Sequence, residues 1–198
     1  MVLAYPRDAG EAIFCPTIPA GPVTEYSNIE ELENLAEALI PKPSFLLESY
    51  ELKRIYQVGS KIEQGEIPST LYLLYSGEEV SSGAVKNQQD LSEVLGRMGE
   101  PGGYKLLLIM QPLDYPLTRE QSETWAQNYA KQESEKGVHT ELVQMANTTA
   151  VLKRLDKPPY RVACYVITWH GSNWVFRLSG YRPEISSDEL IKIAELVG

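Results

Sequence analysis

Two cysteines and two histidines, Cys15, Cys164, His139 and His170, are the side chains of this sequence with the strongest intrinsic chemistry. A thiol next to an imidazole becomes a nucleophile when the ring can take its proton. Cys164 lies inside the alternating run "CYVITW", where a free cysteine behaves as a small hydrophobe, and nothing in the sequence reads as an activating environment. His170 follows Trp169 in the turn-like "HGSN", with no serine, cysteine or acid at a recognisable motif spacing, so it is expected to be a solvated turn residue. Two cysteines do not make a four-ligand zinc site, and the histidines lack paired-ligand spacing. Cys15 and Cys164 suffice for one disulfide, and the sequence leaves open whether they pair. No catalytic, cofactor-binding or metal-ligating residue is assigned, and no cofactor is expected.

The glycine-containing segments "SGEEVSSG" and "GEPGG" match neither the dinucleotide fingerprint nor the phosphate loop and read as turns. Eighteen basic residues against 27 acidic ones give a net charge of −9, with no block of Lys or Arg to neutralise phosphates, so nucleic acid and anionic membrane surfaces are poor partners. The acidic residues are spread over helix faces as a solvated surface. Twelve tyrosines are the compositional excess, expected mostly in the core and sheet.

A chain of 198 residues, 43% hydrophobic and 23% charged, has ordinary globular values and buries roughly 70% of its unfolded surface as one domain. Residues 1–26 contain Pro6, Pro16, Pro19 and Pro22 with Gly10 and Gly21, an extended arm; a single α+β domain is expected over 27–198. In "SNIEELENLAEAL", Ser27 and Glu30 have capping-box spacing, and Ile29, Leu32, Leu35, Ala36 and Leu39 share a helical face. "YELKRIYQV" places Tyr50, Leu52, Tyr56 and Val58 on one side of a strand at period two, and "TLYLLYSG" is apolar on both sides. A loop with Gly59, Gly65 and Pro68 joins them.

In "DLSEVLGRMG", Asp90 reads as a cap with Glu93 three residues on, ahead of a stripe of Leu91, Val94, Leu95 and Met98. "YKLLLIMQPL" (104–113) is the candidate central strand, covered on both faces. Thr118 and Gln121 open a surface helix that packs by a narrow stripe of Trp125, Ala126, Tyr129 and Ala130 and ends at Gly137. Strands are expected at 139–145, 149–155, 161–169 and 174–180, followed by a closing helix.

With "HGSN" as a four-residue loop, Trp169 would oppose Trp174, Ile167 would oppose Phe176 and Tyr165 would oppose Leu178, all on one sheet face. Cys164, Val166, Thr168, Val175, Arg177 and Ser179 form a more mixed second face. The closing helix has Ser186 as cap, Glu189 as its reciprocal partner, and Ile185 placed to staple onto Leu190. Leu190, Ile193, Ala194 and Val197 supply its buried face.

The run "VITWHGSNWVFRLSGY" followed by "SSDELIKIAELV" resembles the closing signature of an uncharacterised domain family of Gram-positive extracytoplasmic proteins, including ones attached to anti-sigma factors and sporulation-associated lipoprotein-carrier-like proteins. Upstream, "IEELENLAEALIPKPSFLLESYELKRIYQV" is similar to that family's opening helix and its turn into the first strand, with Leu47 and Ser49 where proline and glycine are usual. The resemblance covers about residues 28–58 and 160–197. It implies a curved antiparallel sheet with helices packed mainly on one face, lipoprotein-carrier-like, and no catalytic residue to carry over. It also implies a non-enzymatic binding or sensing role for a peptide, lipid-like or protein ligand outside the cytoplasm. The tether would be supplied by a segment absent from this chain, because the apolar run before Pro6 and Arg7 is too short for a signal or a span. A small hydrolase whose site is not readable in the sequence, and an intracellular interaction domain, are the competing classes. Oligomeric state is left open.

Overall fold

Among the described residues, eight strands pair into a single antiparallel sheet, and four helices cover it. The structure, a computed structural model of the chain, describes residues 18–44, 46, 49–80, 83–155, 163–171 and 173–197. In chain order the elements are β1 (Val23–Tyr26), α1 (Ile29–Ala36), β2 (Glu51–Val58), β3 (Thr70–Ser76), α2 (Gln88–Gly96), β4 (Leu106–Pro112), α3 (Arg119–Glu135), β5 (His139–Gln144), β6 (Thr149–Leu155), β7 (Cys164–His170), β8 (Trp174–Tyr181) and α4 (Ser187–Glu195). The spatial order is β1-β2-β3-β4-β8-β7-β6-β5, and the curved sheet stays open, with β1 and β5 at its edges. This is the α+β class with a curved antiparallel sheet expected from the sequence.

Side chains of the middle strands alternate between two cores as the pleat requires. Leu71, Leu73 and Tyr75 of β3 and Leu106, Leu108 and Met110 of β4 enter one core. Their neighbours Tyr72, Leu74, Leu107 and Ile109 enter the other. A strand apolar on both sides has to be covered on both sides, and β4 does take a central place. Helices occupy both faces, two on each, rather than mainly one face as expected, because the middle strands are apolar on both sides. α1, through Leu32 and Ala36, and α4, through Leu190, Ile193 and Ala194, lie on the first. α2 lies on the second through Leu91 and Leu95, and α3 covers the β5–β7 end of that face.

The structure corrects several local expectations. The sheet starts earlier than Ser27: β1 pairs with β2 from Val23↔Val58 to Tyr26↔Ile55, so residues 23–26 belong to the domain rather than to an arm. Residues 18–22 also join it, with Ile18 packed against the second core and the Pro22 carbonyl accepting from the Gly59 N–H at 3.0 Å, while residues 1–17, with Cys15, lie outside the described residues. The cap of α1 is Asn28, whose side chain accepts from the Glu31 N–H, not Ser27. The cap of α2 is Asn87, accepting from Asp90, not Asp90 itself. α1 ends at Ala36 with Glu37 in the left-handed region, which leaves Leu39 87% exposed instead of on the buried stripe. In β2 a bulge between Leu52 and Arg54 moves the strand by one residue, so Tyr50 and Leu52 face one core while Tyr56 and Val58 face the other.

The β7–β8 hairpin has the expected face with a different register. Trp169 pairs with Phe176, Ile167 with Leu178 and Tyr165 with Gly180, two residues along from the sequence-based pairing. The ladder extends one pair further, to His170↔Val175, and the Gly171 N–H donates to the Trp174 carbonyl at 2.8 Å. A shift of two preserves side-chain parity, so Trp169, Trp174, Phe176, Ile167 and Leu178 still share the α4 face. Gly180 fits there because a Cβ would sit 2.8 Å from Ile185 Cγ2 and 2.9 Å from Leu190 Cδ1. The staple of α4 rests directly on the strand backbone at that point.

Candidate functional site

At one end of the sheet the β4–α3 connection, the β5–β6 turn and the β7–β8 turn come together beside the last turn of α4. Between them is a cleft of about 490 Å³. Trp169 and Phe176, cross-strand partners stacked at 5.0 Å, form its apolar floor with Trp174. Leu117, Met145 and Val197 extend its apolar lining, and Thr118, Ser122 and Thr148 add hydroxyl-bearing side chains to it.

Local hydrogen bonds hold these segments in place. The Leu113 N–H donates to the Asn173 carbonyl at 2.9 Å, tying the exit of β4 to the hairpin turn. The Met145 N–H donates to the Thr148 carbonyl, also at 2.9 Å, closing the β5–β6 turn. Ser122 Oγ and Thr148 Oγ1, 2.9 Å apart, join that turn to the start of α3. Gly171 allows the hairpin end to sit tightly, since a Cβ would lie 2.6 Å from Phe176 Cε2.

His170 lines this cleft, and its environment overturns the expectation of a solvated turn residue. It is the last residue of β7, 4% exposed, with its ring stacked on Trp125 of α3 at 4.0 Å. Burial pushes its pKa down to about 4, so the ring is neutral at pH 7. Its Nδ1 is buried and lacks a hydrogen-bond partner among the described residues, as does Thr168 Oγ1 on the same strand face. Unpaired buried polar atoms of this kind mark places where a polar partner is worth most.

The thiol–imidazole pairing considered from the sequence is not assembled. Cys164 begins β7 and His170 ends it, about 20 Å apart for six strand residues. Burial pushes the Cys164 thiol up to about 12, which keeps it protonated. His139 is exposed on β5, on the opposite face of the sheet from Cys164. Among the described residues the Cys164 thiol has no disulfide partner. Among the described residues no group of three or more His, Cys, Asp or Glu could hold a metal ion, and no described helix is long and apolar enough to cross a membrane.

Sequence reasoning marked Trp169, His170 and Trp174 and gave Thr118 its cap role, but it did not connect them. It missed Leu117, Ser122, Met145 and Thr148 as members of one site. The two helix and hairpin starts were visible; their convergence depends on the order β4-β8-β7-β6, which no short motif encodes. A second, smaller hollow of about 200 Å³ lies between α2 and the 102–104 turn, lined by Val80, Val94 and Tyr104. It has no unpartnered buried polar atom among its described lining residues. Comparison with family models, with curated proteins and with solved structures returns no match for the chain.

Proposed function

We propose that this chain is a non-enzymatic binding or sensing domain that receives a peptide or lipid-like ligand in the cleft at the end of the sheet. The observation that supports it best is that one cleft of about 490 Å³ is lined both by aromatic rings, Trp169, Trp174 and Phe176, and by polar side chains, Thr118, Ser122, Thr148 and His170. Apolar area supplies the driving force for such sites and a few fixed polar groups supply orientation. The Cys164 thiol stays protonated and lies about 20 Å from His170, and a ring whose pKa is held down to about 4 is a weak base at pH 7, so the two do not form a nucleophile and base. The extracytoplasmic setting of this reading rests on the resemblance of the closing motif, with the chain acting on a tether.

The test combines retention and turnover on one sample. Purified protein is incubated with fatty acids of graded length and with an apolar peptide library, bound mass is read by native mass spectrometry, and tryptophan emission is followed because Trp169 and Trp174 line the cleft. Retained ligand that is lost in Leu117→Arg, with an unchanged thermal melt, is the expected result. Reproducible hydrolysis of any panel substrate that disappears in His170→Ala would overturn the reading.

A further inference from the structure

The two edges of the sheet are finished differently. β1 has four residues, follows Pro22, and its Glu25 pairs with Arg54 at 2.7 Å. β5 has six residues, no proline and no lysine, and Leu142 at its centre is 46% exposed. Natural sheets keep edges from pairing by shortness, proline, lysine or inward charge, and of these devices β5 has only the single carboxylate of Glu141.

Its backbone is set to receive another strand. The Met145 N–H bond to Thr148 and the unbroken register from His139↔Arg154 to Gln144↔Thr149 fix the alternation of the β5–β6 ladder. The peptide groups of His139, Glu141 and Val143 therefore point at β6, and those of Thr140, Leu142 and Gln144 point outward. Among the described residues no strand takes them.

We infer that the outer edge of β5 pairs antiparallel with β5 of a second copy, about a two-fold axis through Leu142, joining two sheets into one. In that register Leu142 meets its own counterpart and Thr140 meets Gln144, which matches outward-pointing peptide groups with one another. On the opposite face Glu141 meets Val143. The adjacent register, centred on Glu141, sets two carboxylates directly opposite and is disfavoured.

The layer above obeys the same axis. α3 lies over β5, with Ser134 Oγ 2.6 Å from Thr140 Oγ1 and the Ala130 carbonyl accepting from that hydroxyl at 3.3 Å. α3 runs antiparallel to β5, so the step of about 7 Å from Thr140 to Leu142 corresponds to between four and five helical residues and brings Gln127 level with the axis. Helical spacing puts Glu123, Gln127, Lys131 and Ser134 on the flank of α3 that overhangs the edge. The two-fold then sets Glu123 of each copy, whose carboxylate accepts from its own Arg119 at 2.9 Å, opposite Lys131 of the other. Because α3 packs over β5 and β6, adding one strand spacing places the two helices about 10 Å apart, a normal helix-packing distance.

The experiment is sedimentation of the full chain across concentrations, with three kinds of variant. Wild type is expected to be a dimer and Leu142→Lys to weaken association at least about tenfold, since it adds an edge charge at the axis. Glu123→Lys is expected to weaken it too, and Glu123→Lys with Lys131→Glu to restore it. In a Cys15→Ser background, Leu142→Cys is expected to form an intermolecular disulfide on oxidation, because paired Cα atoms lie about 5.5 Å apart. Gln144→Cys, about 14 Å from its counterpart in this register, is not. A monomer up to about 0.5 mM, well above the concentrations at which stable interfaces assemble, would overturn the proposal. So would a dimer indifferent to Leu142→Lys, a double charge swap no better than the single, or crosslinking at 144 equal to that at 142. Monomers whose β5 amides respond only to an added extended peptide of unrelated sequence would assign the edge to another partner and overturn it as well.

Discussion

Helices α3 and α4 begin with the same device. Thr118 accepts from the Gln121 N–H while Gln121 returns to the Thr118 N–H, and Ser186 and Glu189 repeat the exchange. Beyond the first turn they are held by different forces. α4 buries Leu190, Ile193 and Ala194 against the aromatic hairpin face. α3 buries only Ser122 and Ala126 and is fastened by directional contacts: Ser122 to Thr148, Ser134 to Thr140, Trp125 stacked on His170, and Lys153 donating to Tyr129 Oη at 2.7 Å and Glu133 at 3.0 Å. Apolar burial scales with area and tolerates small shifts. A buried ion pair adds little net stability and instead fixes position, because a displaced partner leaves a charge uncompensated. The α4 side of the domain is therefore held by area, and the α3 side, which walls the cleft, by geometry.

The strongest way to break that comparison is to remove the area. Trp169→Ala and Phe176→Ala should each cost about 3–5 kcal/mol, because both rings are buried and truncation leaves a cavity. Denaturant melts measure it. Losses below about 1 kcal/mol would mean that the face under α4 is loosely packed and that area does not distinguish the two sides.

Much of the α4 side was legible because its signals are local and redundant. The run from Trp169 to Leu178 keeps its face even when its register slips by two, since parity survives the slip. At α4 the segment "SSDE" also offers Ser187 and Asp188, but only Ser186 has a Glu three residues on. At α1 and α2 the segments "SN" and "NQQD" offer more than one capping side chain, and the asparagines Asn28 and Asn87 took the position. The β2 bulge was illegible: Tyr50, Leu52, Tyr56 and Val58 satisfy period two on paper, and an inserted residue leaves no mark in that pattern. His170 was misread for a related reason. The partner that buries it, Trp125, is 45 residues earlier on a helix whose stripe gave no hint of which strand it would meet.

That buried imidazole sharpens the comparison through pH. The folded pKa is depressed to about 4 from 6.5, with burial as the cause. The unfolded chain therefore takes up a proton as pH falls below 6.5 while the folded one does not, and stability is lost progressively towards pH 4. Between pH 7 and pH 5 the loss should be about 1–2 kcal/mol in urea melts, and His170→Phe, which keeps a ring against Trp125, should flatten it. Glu133 does not confuse this window. Against the burial that works to raise it, Lys153 and Lys136 hold its carboxyl below the ordinary 4.5, so its contribution disappears only at still lower pH. An unchanged slope in His170→Phe would mean that the α3 side does not carry its acid sensitivity at this ring.

The smallest effect is the most discriminating, because it starts from identical chemistry. Thr118→Ala and Ser186→Ala each remove a hydroxyl that satisfies one backbone N–H at a helix start, and each should cost about 1 kcal/mol of global stability. Their consequences for the cleft should differ. Ser186 opens a helix whose next turn is pinned by Leu190 in the core, so fraying stops within a turn, and ligand retention should be unaffected. Thr118 both caps α3 and lines the cleft, and the turn it opens contains Ser122, whose hydroxyl holds the β5–β6 turn through Thr148. Losing that cap loosens two walls at once. Thr118→Ala should therefore speed amide exchange at Gln121 and Ser122 and weaken retention of whatever the cleft holds, at a stability cost equal to that of Ser186→Ala. Equal retention in the two variants would show that the start of α3 is held by its tertiary contacts alone, and that geometry on this side does not depend on the cap.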